Sequence, residues 1–157
     1  MMAKAEIIKA DLNDPLHAQA ILDLLDAYSM DNMGQSAPMP AEVKSHLIEG
    51  LKEHPTSLLF LATVNHKMAG LAVCFFGFST FYAKKLINIH DLVVLPEFRG
   101  MGVGRQLMQA VEATGRETNC CKVTLEVRDD NLVAQSLYRQ EGYDDSKPPM
   151  YFWSKYL

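Results

Sequence analysis

The sequence predicts an α/β protein of the α+β type, folded as a single domain over residues 1–157. Three observations carry that expectation. At 157 residues, 48% hydrophobic and 22% charged, the chain is long and apolar enough to bury one substantial core without metal or disulfide staples. Apolar positions switch along the chain between a period of two and a period near four, the marks of strands and amphipathic helices. A strong strand run in the middle of the chain leads through a turn with three glycines, Gly100, Gly102 and Gly104, directly into a helical run.

The elements follow in order. Ala5 to Ala10 alternates weakly and reads as an edge strand. From Pro15 to Tyr28, Leu16, Ala20, Ile21, Leu24, Leu25 and Tyr28 recur at helical spacing, with Asp14 placed to cap and Pro15 at the first turn. A loop rich in Met, Gly, Ser and Pro spans Ser29 to Pro40, long enough for a binding loop. Val43, Leu47, Ile48 and Leu51 then mark a helix over Ala41 to Glu53. Two β-rich runs, Ser57 to Val64 and Met68 to Phe78, are separated by Asn65, His66 and Lys67, which is hairpin chemistry and predicts antiparallel pairing. Lys85 to Leu95 is a third strand, ended by Pro96, and the turn from Arg99 to Gly104 opens a helix carrying Val103, Leu107, Met108 and Val111. Lys122 to Val127 reads as a strand, Asn131 to Glu141 as a short helix stopped by Gly142, and Tyr151 to Tyr156 as a closing aromatic strand after Pro148 and Pro149.

Composition excludes several classes. Fifteen Lys and Arg against nineteen Asp and Glu leave a formal charge of −4, so no global positive field invites nucleic acid, and an anionic ligand needs a local site. The three cysteines, Cys74, Cys120 and Cys121, form neither a disulfide framework nor a zinc spacing, which points to a reducing, cytoplasmic compartment. No secretory signal is readable at the N-terminus, and the longest apolar run, Met68 to Phe78, is too short to cross a bilayer. The expectation is a protein with no metal, no membrane and no nucleic-acid partner.

The turn Arg99-Gly100-Met101-Gly102-Val103-Gly104-Arg105 is the informative stretch. A helix N-terminus leaves amide N–H groups without partners and carries roughly half a positive charge, so it favours a phosphate or diphosphate, and glycine lets that group approach closely. Taken alone, the triplet reads equally well as a tight connection that binds nothing. Two familiar phosphate loops fail: the P-loop Lys-Ser/Thr is missing, and a dinucleotide fingerprint started at Gly100 needs glycine where Arg105 stands.

The run Arg99-Gly100-Met101-Gly102-Val103-Gly104 resembles the Arg/Gln-x-x-Gly-x-Gly/Ala signature of the GNAT superfamily of acetyl-CoA-dependent N-acetyltransferases. Asp91-Leu92-Val93-Val94-Leu95-Pro96-Glu97-Phe98 looks like that family's strand into the signature, and Asn131, Ala134, Leu137, Tyr138, Gly142 and Tyr143 look like its next helix. The resemblance covers nearly the whole chain. It implies a mixed, mostly antiparallel sheet with a splayed centre, flanked by helices, with acetyl-CoA as co-substrate in the gap. It further implies that the diphosphate rests on residues 100–105, that Arg99 and Arg105 offer charge, that main-chain groups of Leu92, Val93 and Val94 meet the pantetheine arm, and that Asn131 and Tyr138 complete the cofactor site.

Acetyl transfer to an amine needs a neutral amine, a stabilised oxyanion and a proton for the departing thiolate. An alkylamine of pKa about 10.4 is neutral to roughly one part in 10³ at pH 7, so deprotonation costs about 4–5 kcal/mol and a base helps. His90 and Asp91 are the candidates on the incoming strand, and strict alternation sends them to opposite faces. An imidazole of ordinary pKa about 6.5 suits the task, which favours His90, with Asp91 orienting or binding a cationic amine. The family more often carries Glu or Asp there, and a structural hydrogen-bonding role for either residue stays open. Tyr138 lies seven residues, two helical turns, from Asn131 and shares its face. A phenol of pKa about 10 can protonate a thiolate whose thiol has pKa about 8.5, and in the resembled family this tyrosine is the usual general acid.

By the same resemblance, the loop with Asp31 and Asn32 and the aromatic turn with Phe81 sit at the acceptor mouth, and the overall acidity favours a small cationic amine. His17, His46, His54 and His66 fall on expected helix surfaces or turns without metal spacing. Two further readings stay open: a catalytically silent acyl-CoA-binding regulatory domain, and an acetyltransferase acting on a protein or peptide amine. The aromatic terminus Tyr151-Phe152-Trp153 leaves room for a homodimer.

Overall fold

The computed structural model describes residues 4–157. These fall into two compact units, the first ending at Glu126 and the second beginning at Val127.

In the first unit the order is β1 (Glu6–Lys9), α1 (Pro15–Met30), α2 (Ala41–Glu53), β2 (Ser57–Val64), β3 (Lys67–Ser79), β4 (Lys84–Val94), a short 3₁₀ turn (Pro96–Phe98), α3 (Val103–Glu117) and β5 (Val123–Leu125). The strands form one sheet in sequence order, antiparallel throughout except for the parallel pair β4–β5. Parallel strands need a crossover, and α3 supplies it. Asn65 and His66 join β2 to β3 with φ of 50° and 63°, the positive values that a two-residue hairpin turn demands.

The two faces of the sheet have different cover. Ala20, Ile21 and Leu24 of α1 and Leu51 of α2 pack on Leu59, Leu61, Leu71, Val73 and Val93. Val103, Leu107, Met108 and Val111 of α3 are fully buried on the opposite side, where Gly115 stands over Ile87 and Val123. Asp14 caps α1 as the sequence predicts, its carboxylate accepting the Leu16 N–H at 2.8 Å.

The second unit holds α4 (Leu132–Gln140). The expected closing strand over Tyr151–Tyr156 is not formed: residues 151–157 contain neither helix nor strand, and their side chains are exposed. Aromatic residues favour strands when a pleated neighbour packs against them, so composition alone does not build one.

Candidate active site

β4 and β5 pair only from Ile87 with Val123 to Ile89 with Leu125, where β5 ends, so β4 runs on past Ile89 with a gap on that side. At the same point β4 bulges. Asp91 pairs with Val73 and Ile89 with Cys74, which leaves His90 as an extra residue between two consecutive partners. Past the bulge, Leu95 N–H donates to the Ala69 carbonyl at 3.0 Å. Main-chain groups alternate sides along a strand, so those of Val93 also turn to β3, while those of Leu92 and Val94 turn toward the gap. The Val94 carbonyl there accepts Arg99 Nε at 3.0 Å.

The bulge also corrects the expected placing of His90 and Asp91. Asp91 lies opposite Val73, on the face covered by α1 and α2, and the His90 ring packs edge-on against Phe75 of that same face at 5.6 Å between centroids. The inserted residue cancels the alternation, and the two side chains share one side. His90 is exposed, while Asp91 is partly buried. Burial pushes the Asp91 carboxyl above the usual carboxylate range, and the adjacent His90 pulls it partly back. Cys74 beneath them is inert as a nucleophile, because burial, with Asp91 adding to it, pushes its thiol up to about 12.

From Val94 the chain runs through the 3₁₀ turn to Gly100 and Gly102, with φ of 75° and 83°. These left-handed conformations are open to glycine without strain, and a Cβ on Gly100 would meet nothing within 4 Å. Gly102 is the N-cap of α3 and provides no side-chain cap, and its carbonyl accepts the Gln106 N–H at 3.1 Å as the helix begins. An anion fits this start of α3, and the glycines leave room for it.

Arg99 and Asp31 meet each other. Arg99 Nη2 lies 2.7 Å from Asp31 Oδ2, and the other Asp31 oxygen accepts the Met33 N–H at 2.9 Å. These hydrogen bonds, the Arg99 one foremost, hold the Asp31 carboxyl below the usual range. Both side chains are therefore engaged in holding the α1–α2 loop to the end of β4. Asn32, beside them, is exposed. Phe81 lies elsewhere, at the far tip of the β3–β4 hairpin and 98% exposed. Ten residues of strand at about 3.3 Å each separate the hairpin end of β4 from Val94, so Phe81 and Asp31 do not line one mouth for a small molecule.

In the second unit, Asn131 is the N-cap of α4, and its side chain accepts the Ala134 N–H at 3.2 Å. Tyr138 sits two turns along, partly buried, with its ring 6.3 Å from that of Tyr143. On the other side of the first unit's sheet from α3, α2 brings in a contact that the sequence reading did not assign: His54, its C-cap, packs against Phe75 at 5.2 Å. A lone histidine at a helix end carries no signal that it shares an aromatic neighbour with His90.

A parallel strand pair that ends beside a glycine-started helix, with a bulged strand on its rim, gives an α/β fold with an anion-accepting turn next to a gap in the sheet. The model of the acetyltransferase (GNAT) family matches residues 20–143, and the chain belongs to that family as an acetyl-transferring enzyme. The N-acetyltransferase YhfO of Bacillus subtilis (strain 168) is 27% identical over 134 residues, covering 82% of this chain and 84% of that protein. The thialysine N-epsilon-acetyltransferase of Caenorhabditis elegans is 26% identical over 130 residues, covering 82% and 78%. Among solved structures, aminoglycoside N-acetyltransferase AAC(6')-Iy in complex with the bisubstrate analogue CoA-S-monomethyl-acetylneamine superposes with a TM-score of 0.78 over 99% of this chain and 100% of that one. At 17% identity that likeness is one of fold. Among the described residues no helix is long and apolar enough to cross a membrane.

Proposed function

We propose that the protein transfers the acetyl group of acetyl-CoA to the primary amine of a small molecule by direct attack on the thioester. The observation that carries the reading is the coincidence at Ile89: pairing with β5 stops and the bulge presents His90 beside Asp91. The uncapped start of α3 follows within the same segment. The diphosphate rests on the first-turn amides of α3, and the pantetheine arm lies along the gap against Leu92, whose N–H polarises the thioester carbonyl. His90 takes a proton from the acceptor ammonium, and Asp91 orients the imidazole. The amine lone pair forms the C–N bond, the C–S bond breaks as Tyr138 gives its proton to the departing thiolate, and the second proton shed by the acetylated nitrogen restores the Tyr138 phenol. Arg99 serves as a clamp between the α1–α2 loop and β4, with Arg105 left to supply charge near the diphosphate.

Relatives named for thialysine and aminoglycoside acetylation support a small amine as acceptor. Both units act as one catalytic domain, a reading supported by a family match that runs from 20 to 143. The test is thiol release from acetyl-CoA across a panel of amines. Release above the amine-free rate is expected, and Tyr138→Phe should lower it by about tenfold or more. Gly102→Asp puts a carboxylate at the start of α3 and should weaken acetyl-CoA binding by about tenfold or more. Tight acetyl-CoA binding with no release for any amine identifies a silent coenzyme-binding domain instead.

A further inference from the structure

Phe75 is the hinge of a second feature. Its ring is met edge-on by His90 at 5.6 Å and by His54 at 5.2 Å, and beyond His54 an open groove of about 420 Å³ runs along α2. Its walls are Val43, Leu47, Leu51 and Phe75, and among the described residues His46 and His54 are its only titratable lining groups, with no carboxylate in the lining. A volume of this order accommodates one or two rings, and its Phe75 wall is the ring that His90 meets.

Gly50 completes the lining. It stands inside α2, where glycine destabilises a helix relative to alanine, and packing does not require it: a Cβ there would meet nothing within 4 Å. What the missing side chain provides is open space over the groove.

Resting on the acetyltransferase reading above, we propose that this groove seats the aromatic body of a primary monoamine, an arylalkylamine, and so presents its amino group to His90. An aromatic ring gains apolar burial against Leu47 and Leu51 and an edge-to-face neighbour in Phe75. A polyamine or aminoglycoside would have to bring several ammonium groups against walls that offer no counter-charge. In the transfer itself one ammonium proton passes to His90, the amine nitrogen bonds the acetyl carbon as the C–S bond breaks, and CoA leaves as the thiol with a proton from Tyr138, which the acetylated nitrogen's second proton replaces.

The experiment compares phenethylamine, spermidine and kanamycin as acceptors for the full chain with acetyl-CoA, followed by thiol release. Phenethylamine should have the highest kcat/KM, by about tenfold or more. Gly50→Leu should raise the KM for phenethylamine by about tenfold or more, with the KM for acetyl-CoA unchanged and the melting temperature no lower. Val43→Glu, at a half-exposed position, should turn preference toward spermidine. Should spermidine or kanamycin be the better acceptor of the unaltered protein, or should both variants keep its phenethylamine KM, the groove assignment is overturned and acetyl transfer stands. No release with any amine, despite acetyl-CoA binding, removes both.

Discussion

Two aspartates, Asp31 in the α1–α2 loop and Asp91 on the β4 bulge, look alike in the sequence as anchors for a cationic amine, and the structure drives them in opposite directions. Asp31 is met by a guanidinium and an amide, so its charged form is favoured and its pKa falls. Asp91 is taken out of water with only a neighbouring imidazole for company, so its charged form is penalised and its pKa rises. The difference teaches that the satisfied charge serves as scaffolding, whereas the carboxylate penalised by burial is the one the proposed mechanism puts to use.

The comparison can be broken most severely at the bulge. His90→Ala should lower kcat/KM by about 10²-fold, and added imidazole should restore part of it, as measured by thiol release. Next in size is the effect of Asp91→Asn on stability. Because the folded-state pKa of Asp91 lies above its unfolded value of about 3.9, the ionised carboxylate costs the fold at neutral pH and costs nothing well below pH 3.9. The asparagine variant should melt higher than the parent at pH 7, with the gap closing as the pH approaches 4, while its turnover falls through loss of imidazole orientation. The smallest effect belongs to Asp31→Asn. Here the folded pKa is depressed, so stability from the Arg99 pair is present above pH 3.9 and is lost as pH falls through the lower folded value. With Arg99 half exposed, the loss at neutral pH should be no more than about 1 kcal/mol in a denaturant titration, and smaller still in high salt.

The ladder of strands and helices was legible because it is written locally: periodicity placed the strands of the first unit and the starts of its α-helices within a few residues, and Asp14 before Pro15 announced its own cap. The glycine turn was legible for the same reason. The bulge was not, since nothing in Lys84–Val94 says which of its residues β3 will skip, and that depends on the partner's register. The ion pair between Arg99 and Asp31 joins positions 68 apart, beyond the reach of any spacing rule, and it turned two supposed ligand contacts into one internal clamp. Asn131 was read by its helical face, although Asn directly before an apolar run is equally a cap, and capping is where its side chain is used. The aromatic tail shows the converse error, a strand expected from residue types without a partner to receive it.

Beyond Ile89, β4 also carries a colloidal liability. A strand margin that no other described strand covers is a template on which a second chain can add, and proteins blunt such margins with charge or with a covering group. Arg99, reaching back across the Val94 carbonyl, supplies the charge. The pantetheine arm of a bound thiol nucleotide would supply the cover, so the ligand's presence should govern solubility on storage as well as turnover.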